Sequence, residues 1–156
     1  MMPTEASNSK NPVVIPNPFT IYSIEHKRFA SRDGDAAILF SKPAVDHYCY
    51  MKLIEQVQGT NKIRFTLDTG AIVFRHTEHG NLHSRFGGET ENDTLFEVIP
   101  REDGIADSFY MKANNGLYVS AFDSHGLHLR ASKADLGRHC VFLIRDPNHS
   151  KSADDL

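Results

Sequence analysis

The 156-residue sequence contains few of the residues that tie small folds together covalently. It has only two cysteines, Cys49 and Cys140, and neither lies in a zinc-binding or disulfide-framework pattern. We therefore expect both thiols to be free, as in the reducing cytoplasm. A chain of this length can bury a substantial core without disulfides or metal ions, so a stable fold does not require them.

Long apolar runs are also missing. No segment approaches the roughly 20 apolar residues of a membrane-spanning helix, and the opening residues MMPTEASNSK lack the basic and apolar regions of a signal peptide. The net charge of −3 does not favour general binding to nucleic acids or to membrane surfaces. These observations predict a soluble, cytoplasmic protein without a membrane span.

Amphipathic helix patterns are absent as well, because no window of helical length has apolar residues at a 3.6-residue spacing. Short segments rich in β-branched and aromatic residues occur instead, and glycine, asparagine and aspartate separate them. Examples are FTIYSI, AAILF, CYMKLI, KIRFTL, AIVFR, LFEVI, FYMKA, LYVSAF, LHLRA and CVFLI. The pattern predicts an all-β protein.

Two sets of residues recur every 46 positions along the chain. They are the glycines Gly34, Gly80 and Gly126 and the aromatic residues Tyr50, Phe96 and Phe142. Upstream of them, residues 19–31, 63–75 and 109–121 align without gaps, although the first step there is 44. Matched glycines, aromatics and strand order together indicate three copies of one unit.

Each unit contains four predicted strands, so the repeats at about 19–62, 63–108 and 109–145 give twelve. A closed barrel with three hairpins over one end suits such repeats, because closure leaves no exposed strand edge. We therefore predict a single β-trefoil spanning residues 15–146. Residues 1–14 and 147–156 are polar, and we expect them to form flexible tails.

The third repeat resembles the repeats of fascin-like actin-binding trefoils, the group that includes hisactophilin. It reads FYMKANNGLYVSA, then a glycine hairpin, then CVFLI. The repeats of that family follow approximately the pattern F-x-x-K-x-x-x-G-x-Y-x-S-A, then G, then F. This resemblance implies a trefoil that binds actin or another protein.

The second repeat resembles the arabinose-binding module of arabinofuranosidases. Phe74-Arg75-His76 matches an Arg-His pair after the second strand, and Asp93-Thr94-Leu95-Phe96 matches an Asp-Ala-Thr-Phe stretch entering the fourth. The resemblance implies that His76 and Asp93 bind a sugar, with Arg75 beside them. An imidazole and a carboxylate can both hydrogen-bond sugar hydroxyls. The Gln-x-Trp signature of ricin-type lectins is excluded, since the chain has no tryptophan.

A second candidate site consists of two His-x-Arg pairs, His83 with Arg85 and His128 with Arg130. Alternate residues of a strand share a face, so each pair projects from one side of its strand. With His79 and His125 nearby, the pairs would form a patch that gains positive charge below about pH 6.5. Such a patch suits an anion or an acidic protein such as actin; a solvated hairpin face is the structural alternative.

Motifs of known enzymes are missing from the chain. It contains no nucleophile elbow, P-loop, dinucleotide fingerprint or His-Glu-x-x-His sequence. We therefore expect no catalytic residues, no cofactor and no metal site. The sequence predicts a non-catalytic binding module, with carbohydrate bound in repeat two as the leading hypothesis. A protein-binding trefoil and an inhibitor acting through a loop are the alternatives.

Overall fold

The computed structural model describes residues 12–32, 36–101, 107–123 and 126–148. Within these ranges the chain forms twelve strands: β1 (Thr20–Ser23), β2 (Arg28–Arg32), β3 (Ile38–Lys42), β4 (Met51–Gln56), β5 (Lys62–Leu67), β6 (Ile72–Arg75), β7 (Leu82–Arg85), β8 (Phe96–Pro100), β9 (Ser108–Ala113), β10 (Tyr118–Asp123), β11 (Leu127–Lys133) and β12 (Phe142–Arg145). In each repeat, a one-turn 3-10 helix precedes the fourth strand. These helices are η1 (His47–Cys49), η2 (Asn92–Thr94) and η3 (Arg138–Cys140). The predicted all-β fold of twelve strands in three repeats is confirmed.

The first and fourth strands of the three repeats form a closed six-stranded barrel. Antiparallel pairing runs through β1, β12, β9, β8, β5 and β4 in that order. Two backbone hydrogen bonds of 2.9 Å between Phe19, next to β1, and Met51 of β4 close the ring. Closure satisfies the backbone groups that an open sheet would leave unpaired at its edges.

Apolar side chains of the barrel strands fill the interior. In β9, for example, Phe109, Met111 and Ala113 are buried, whereas the residues between them are half-buried. Phe65 packs between Phe19 and Phe96, with ring centroids 5.4 and 5.6 Å apart. Aromatic pairs at such distances add to the stabilisation that comes from burying apolar surface.

The three hairpins β2–β3, β6–β7 and β10–β11 cover one end of the barrel. Each hairpin contacts the next through one antiparallel β-bridge. The bridges join Ala37 with His83, Asn81 with Arg130 and His128 with Leu39. The second and third repeats therefore bring β7 and β11, which carry the predicted His-x-Arg pairs, to the same end of the molecule.

Gly80 occupies a position where the backbone requires a glycine, but the 46-residue spacing does not locate the equivalent position in repeat one. Its φ is +82°, and a Cβ there would lie 2.9 Å from the carbonyl oxygen of Ala131, whose N–H donates to the Gly80 carbonyl at 2.8 Å. In repeat one the same place is taken by Ala36, with φ +73° and a carbonyl that accepts from the Ser84 N–H at 3.0 Å. Gly34 lies outside the described residues, and its spacing does not mark the equivalent position.

The aromatic spacing needs a similar correction in repeat one. Met51, Phe96 and Phe142 each begin the fourth strand of a repeat, and each is at most 1% exposed. Tyr50 precedes the strand and is half-buried. The sequence prediction placed Tyr50 in the core position that methionine occupies.

Residues 12–15, which include the last three positions of the predicted N-terminal tail, run along the barrel. The Val13 N–H donates to Asn61 Oδ1 at 2.7 Å, the Val13 carbonyl accepts from Gln56 Nε2 at 3.0 Å, and Ile15 is buried. Residues 1–11 and 149–156 lie outside the described residues. The flexible tails and the boundaries at 15 and 146 stay predictions.

Candidate functional site

Three equivalent clefts lie on the side of the barrel, each between the 3-10 helix of one repeat and the first turn of the next. Cleft one lies between η1 and the turn at 68–70, and cleft two between η2 and the turn at 114–116. Cleft three lies between η3 and the turn at 24–27. The register is the same in each, because the first residue of the fourth strand pairs with the residue before the turn. Differences between the clefts therefore come from their side chains.

Cleft one is bridged by Arg32 from the end of β2. Its Nε donates to Asp68 Oδ1 at 2.6 Å, and its Nη2 donates to Asp68 Oδ2 at 3.3 Å. The same guanidinium stacks on the ring of Tyr48 in η1, 4.3 Å from the centroid. Helix, turn and β2 are thus joined by one cation whose charge a protein carboxylate neutralises.

Cleft three is bridged twice. The His26 Nε2 and His139 Nδ1 atoms lie 2.9 Å apart in a hydrogen bond that links the turn to η3. Beside them, Arg138 Nε lies 3.1 Å from Glu25 Oε2. Burial, followed by the repulsion from His139, lowers the pKa of His26, so the neutral form of the His26 imidazole is favoured.

Cleft two is open and holds a cavity of about 390 Å³. The cavity is lined by residues of β5, η2, β8, β9 and the following turn: Lys62, Asn92, Leu95, Phe96, Glu97, Lys112, Ala113, Asn114 and Gly116. A volume of this size suits a small ligand. At its rim, Arg75 Nε donates to Asn114 Oδ1 at 3.0 Å.

The helix that forms one wall of cleft two is fixed by Arg64. This residue is 8% exposed, and its guanidinium donates to Thr94 Oγ1 at 2.8 Å, to Glu55 Oε1 at 2.6 Å and to the Thr90 carbonyl at 3.1 Å. Charged hydrogen bonds of this kind are stronger than neutral ones. They hold η2, and with it Asn92, against the barrel.

The three residues predicted to bind a sugar point in different directions. Asp93 accepts two hydrogen bonds from Arg85, at 2.9 and 3.1 Å, so its carboxylate is occupied by a neighbouring cation. His76 accepts from the Glu78 N–H through Nδ1, and its ring turns toward other histidines. Of the three, Arg75 bonds a residue that lines the cavity, Asn114. His76 and Asp93 thus have different partners within the protein, and their role in sugar binding stays a prediction.

His76 belongs to a cluster with His79 and His83 at the β6–β7 hairpin. The His76 and His79 rings stack with centroids 4.2 Å apart, and His83 lies 5.3 and 5.4 Å from them. Burial lowers the pKa of His83 and of His79, and charge repulsion from His76 lowers both further. Repulsion between the histidines contributes to the lowered pKa of His83, but burial has the larger effect. His125 lies outside the described residues.

Both predicted arginines of the His-x-Arg pairs are engaged within the molecule. Arg85 stacks over the Phe74 ring at 4.3 Å in addition to its pair with Asp93. Arg130 stacks over Phe122 at 3.7 Å, and its Nε donates to Asn81. Arg130 and His128 are half-buried, as are His83 and Arg85. These contacts stabilise the hairpin end, and they leave the guanidinium groups less free for a partner.

The sequence prediction missed the asparagines and lysines of cleft two. A signal for one of them was present, because Asn114 aligns with Asp68 when residues 63–75 and 109–121 are superposed. Nothing in the spacing indicated that Lys62, Lys112 and Asn92 converge, since they come from three different elements. Among the described residues, no group of three or more His, Cys, Asp or Glu side chains is arranged to hold a metal ion.

No known protein family matches the chain, and no curated protein matches it. Among solved structures, the chain is similar to a designed threefold-symmetric protein, ThreeFoil, with a TM-score of 0.68. The match covers 83% of this chain and 98% of that one at 10% sequence identity. This likeness shows the β-trefoil fold alone. It does not confirm the fascin-like resemblance or the arabinose-binding resemblance.

None of the helices in the described part of the chain has the length and apolar character needed to cross a membrane.

Proposed function

We propose that this protein is a non-catalytic binding module and that its ligand, a carbohydrate, occupies cleft two. The observation that carries the proposal is the difference among the three clefts. In clefts one and three, side chains bridge the 3-10 helix and the turn, whereas cleft two holds an open cavity. Function lives in particular sites placed on a fold, so a cleft whose side chains differ from those of its two equivalents is a candidate for such a site.

The groups that line the cavity suit a polyhydroxylated ligand. Asn92 and Asn114 each offer an amide that can donate to and accept from hydroxyl groups, and Glu97 adds an acceptor. Leu95 supplies an apolar surface for the C–H face of a sugar ring. The proposed cavity differs from the repeat-two pocket predicted at His76 and Asp93, and Arg75 is connected to it through its hydrogen bond to Asn114.

The buried thiols support a non-catalytic role. Burial raises the pKa of Cys49 to about 11 and also raises the pKa of Cys140. A thiol with a raised pKa is protonated at neutral pH and is a poor nucleophile.

Asn92 provides a direct test. Its side chain lines the cavity and makes no hydrogen bond among the described residues, so Asn92→Ala should leave the fold unchanged. Loss of one ligand hydrogen bond should weaken saccharide binding roughly two- to tenfold. The matched control is Asn148→Ala, an exposed asparagine far along the chain. A glycan array followed by calorimetry measures both; equal affinities for the two variants would contradict the proposal.

A protein partner is the second candidate function, and the histidine cluster is the observation that favours it. His76, His79 and His83 lie together at the hairpin end, near Arg130. An acidic partner such as actin should bind there more strongly at low salt and below pH 6.5. Actin cosedimentation with wild type and with His83→Gln, His128→Gln separates this candidate from the carbohydrate site, because the glycan affinity should be unaffected.

A further inference from the structure

The positive charges around cleft two are only partly balanced by the protein. Lys62, Lys112 and Glu97 line the cavity, and Arg75 reaches its rim. Among the described residues, neither lysine nor Arg75 forms an ion pair with a carboxylate. Lys112 Nζ instead lies 4.9 Å from the centroid of the Tyr118 ring. Glu97 lies opposite both lysines in the strand register, so one carboxylate stands against two lysines of the cavity and the neighbouring Arg75.

The equivalent cation in cleft one has a carboxylate partner. Arg32 and Arg75 occupy the same place, since each pairs across its hairpin with a buried aliphatic residue, Ile38 or Leu82. Arg32 binds Asp68, the first residue of the next turn; Arg75 binds Asn114, the first residue of its own next turn. The repeat that carries the open cavity therefore has a neutral amide where its neighbour has an anion.

We infer that the ligand of cleft two supplies the missing negative charge, and that it is an acidic saccharide carrying a carboxylate, such as a uronic acid. This inference rests on the proposed function, because it specifies the sugar class for the same cleft. A ligand carboxylate would meet the ammonium groups of Lys62 or Lys112, or the free edge of Arg75, and charge-assisted hydrogen bonds are roughly twice as strong as neutral ones. The ring hydroxyls would remain for the asparagine amides.

The first arm of the test compares matched sugars. Calorimetry with D-glucuronate against D-glucose, and D-galacturonate against D-galactose, should show at least about tenfold tighter binding of the uronates at low salt. The preference should shrink at high salt, since partly exposed charges are screened. Equal affinity for acid and neutral sugars would overturn this inference while the carbohydrate proposal stands.

The second arm rebuilds the arrangement of cleft one. Asn114→Asp gives Arg75 an internal carboxylate and adds a negative charge to the cleft, so the uronate affinity should fall toward that of the neutral sugar while the melting temperature is kept. Asn148→Asp adds the same charge at an exposed position and should bind as wild type does. In the same way, Lys112→Gln should weaken uronate binding. Lys52→Gln, at an exposed residue of β4, should not. Unchanged uronate affinity in Asn114→Asp would overturn the inference.

The remaining outcomes separate the two proposals. If acetate or inorganic phosphate binds with the same dependence on Asn114 and Lys112 but no sugar binds, the anion site stands and the carbohydrate function is wrong. If neither sugars nor simple anions bind the folded full-length chain, both proposals are wrong.

Discussion

Asp68 and Asn114 occupy equivalent positions in the turns after β5 and β9, and they differ by the exchange of a carboxylate oxygen for an NH2 group. The carboxylate draws Arg32 into a two-bond ion pair that bridges cleft one. The amide accepts a single bond from Arg75 and leaves the charge of that cation uncompensated. At the scale of single residues, this exchange separates a cleft that the protein closes from one that a ligand can enter.

Histidines make the stability of the fold depend on pH. Burial lowers the pKa of His26, His79 and His83 from the usual value of 6.5, and neighbouring histidines lower each further. The unfolded chain, whose histidines titrate near 6.5, therefore binds more protons than the folded chain just below that pH. The free energy of unfolding should be largest above pH 6.5 and should fall as the pH drops below it. Urea denaturation on either side of pH 6.5 measures this fall.

NMR titration of the same imidazoles is the control for this pH prediction. The titration midpoints of His26, His79 and His83 should lie below 6.5. Midpoints at or above 6.5 would remove the cause, and a loss of stability on acidification would then have another origin.

Among the elements, η2 and its preceding loop depend on a buried cation more than on their own sequence. The loop carries two glycines in the left-handed region and the exposed Phe86, which contribute little packing. Arg64 compensates by bonding Thr94 and the Thr90 carbonyl from the barrel strand β5. The wall of the candidate site is therefore anchored from inside the molecule.

Arg64→Met should lower the free energy of unfolding by ~2–3 kcal/mol, because Thr94 and the loop carbonyl lose charged hydrogen bonds in a buried setting. The control is Arg28→Met on β2, whose exposed guanidinium bonds only the adjacent Lys27 carbonyl among the residues that the structure describes. It should change stability by less than about 0.5 kcal/mol. Urea denaturation of both variants gives the comparison; equal effects would show that η2 does not depend on Arg64.

For the whole molecule, residue patterns were sufficient to predict the architecture. Alternation along segments such as β9, with Phe109 and Met111 turned inward, and the near-repeat of glycines indicated three four-stranded units before any pairing was known. The 46-residue spacing predicted the wrong residue where a different residue type occupies the equivalent position. Ala36 adopts the positive φ expected of a glycine, and Met51 occupies the core position expected of an aromatic residue.

The candidate site was predicted less well, for a physical reason. The partner of Asp93 depends on how η2 packs against the β6–β7 hairpin, because that packing places Arg85 within hydrogen-bonding distance of Asp93. His76 likewise turns to His79 across a tight turn. Cleft two joins elements from two repeats, so its lining residues are far apart in the sequence, and only the barrel closure brings them together.

We propose cleft two as the ligand-binding site of the trefoil. Titration of the isotope-labelled full-length chain with D-glucuronate, followed by amide NMR shifts, tests it residue by residue. We expect the largest amide shifts at residues 92–97 and 112–116, with little change at residues 76–85 and 127–130. Shifts concentrated at the histidine hairpins, or spread equally over all three clefts, would contradict it.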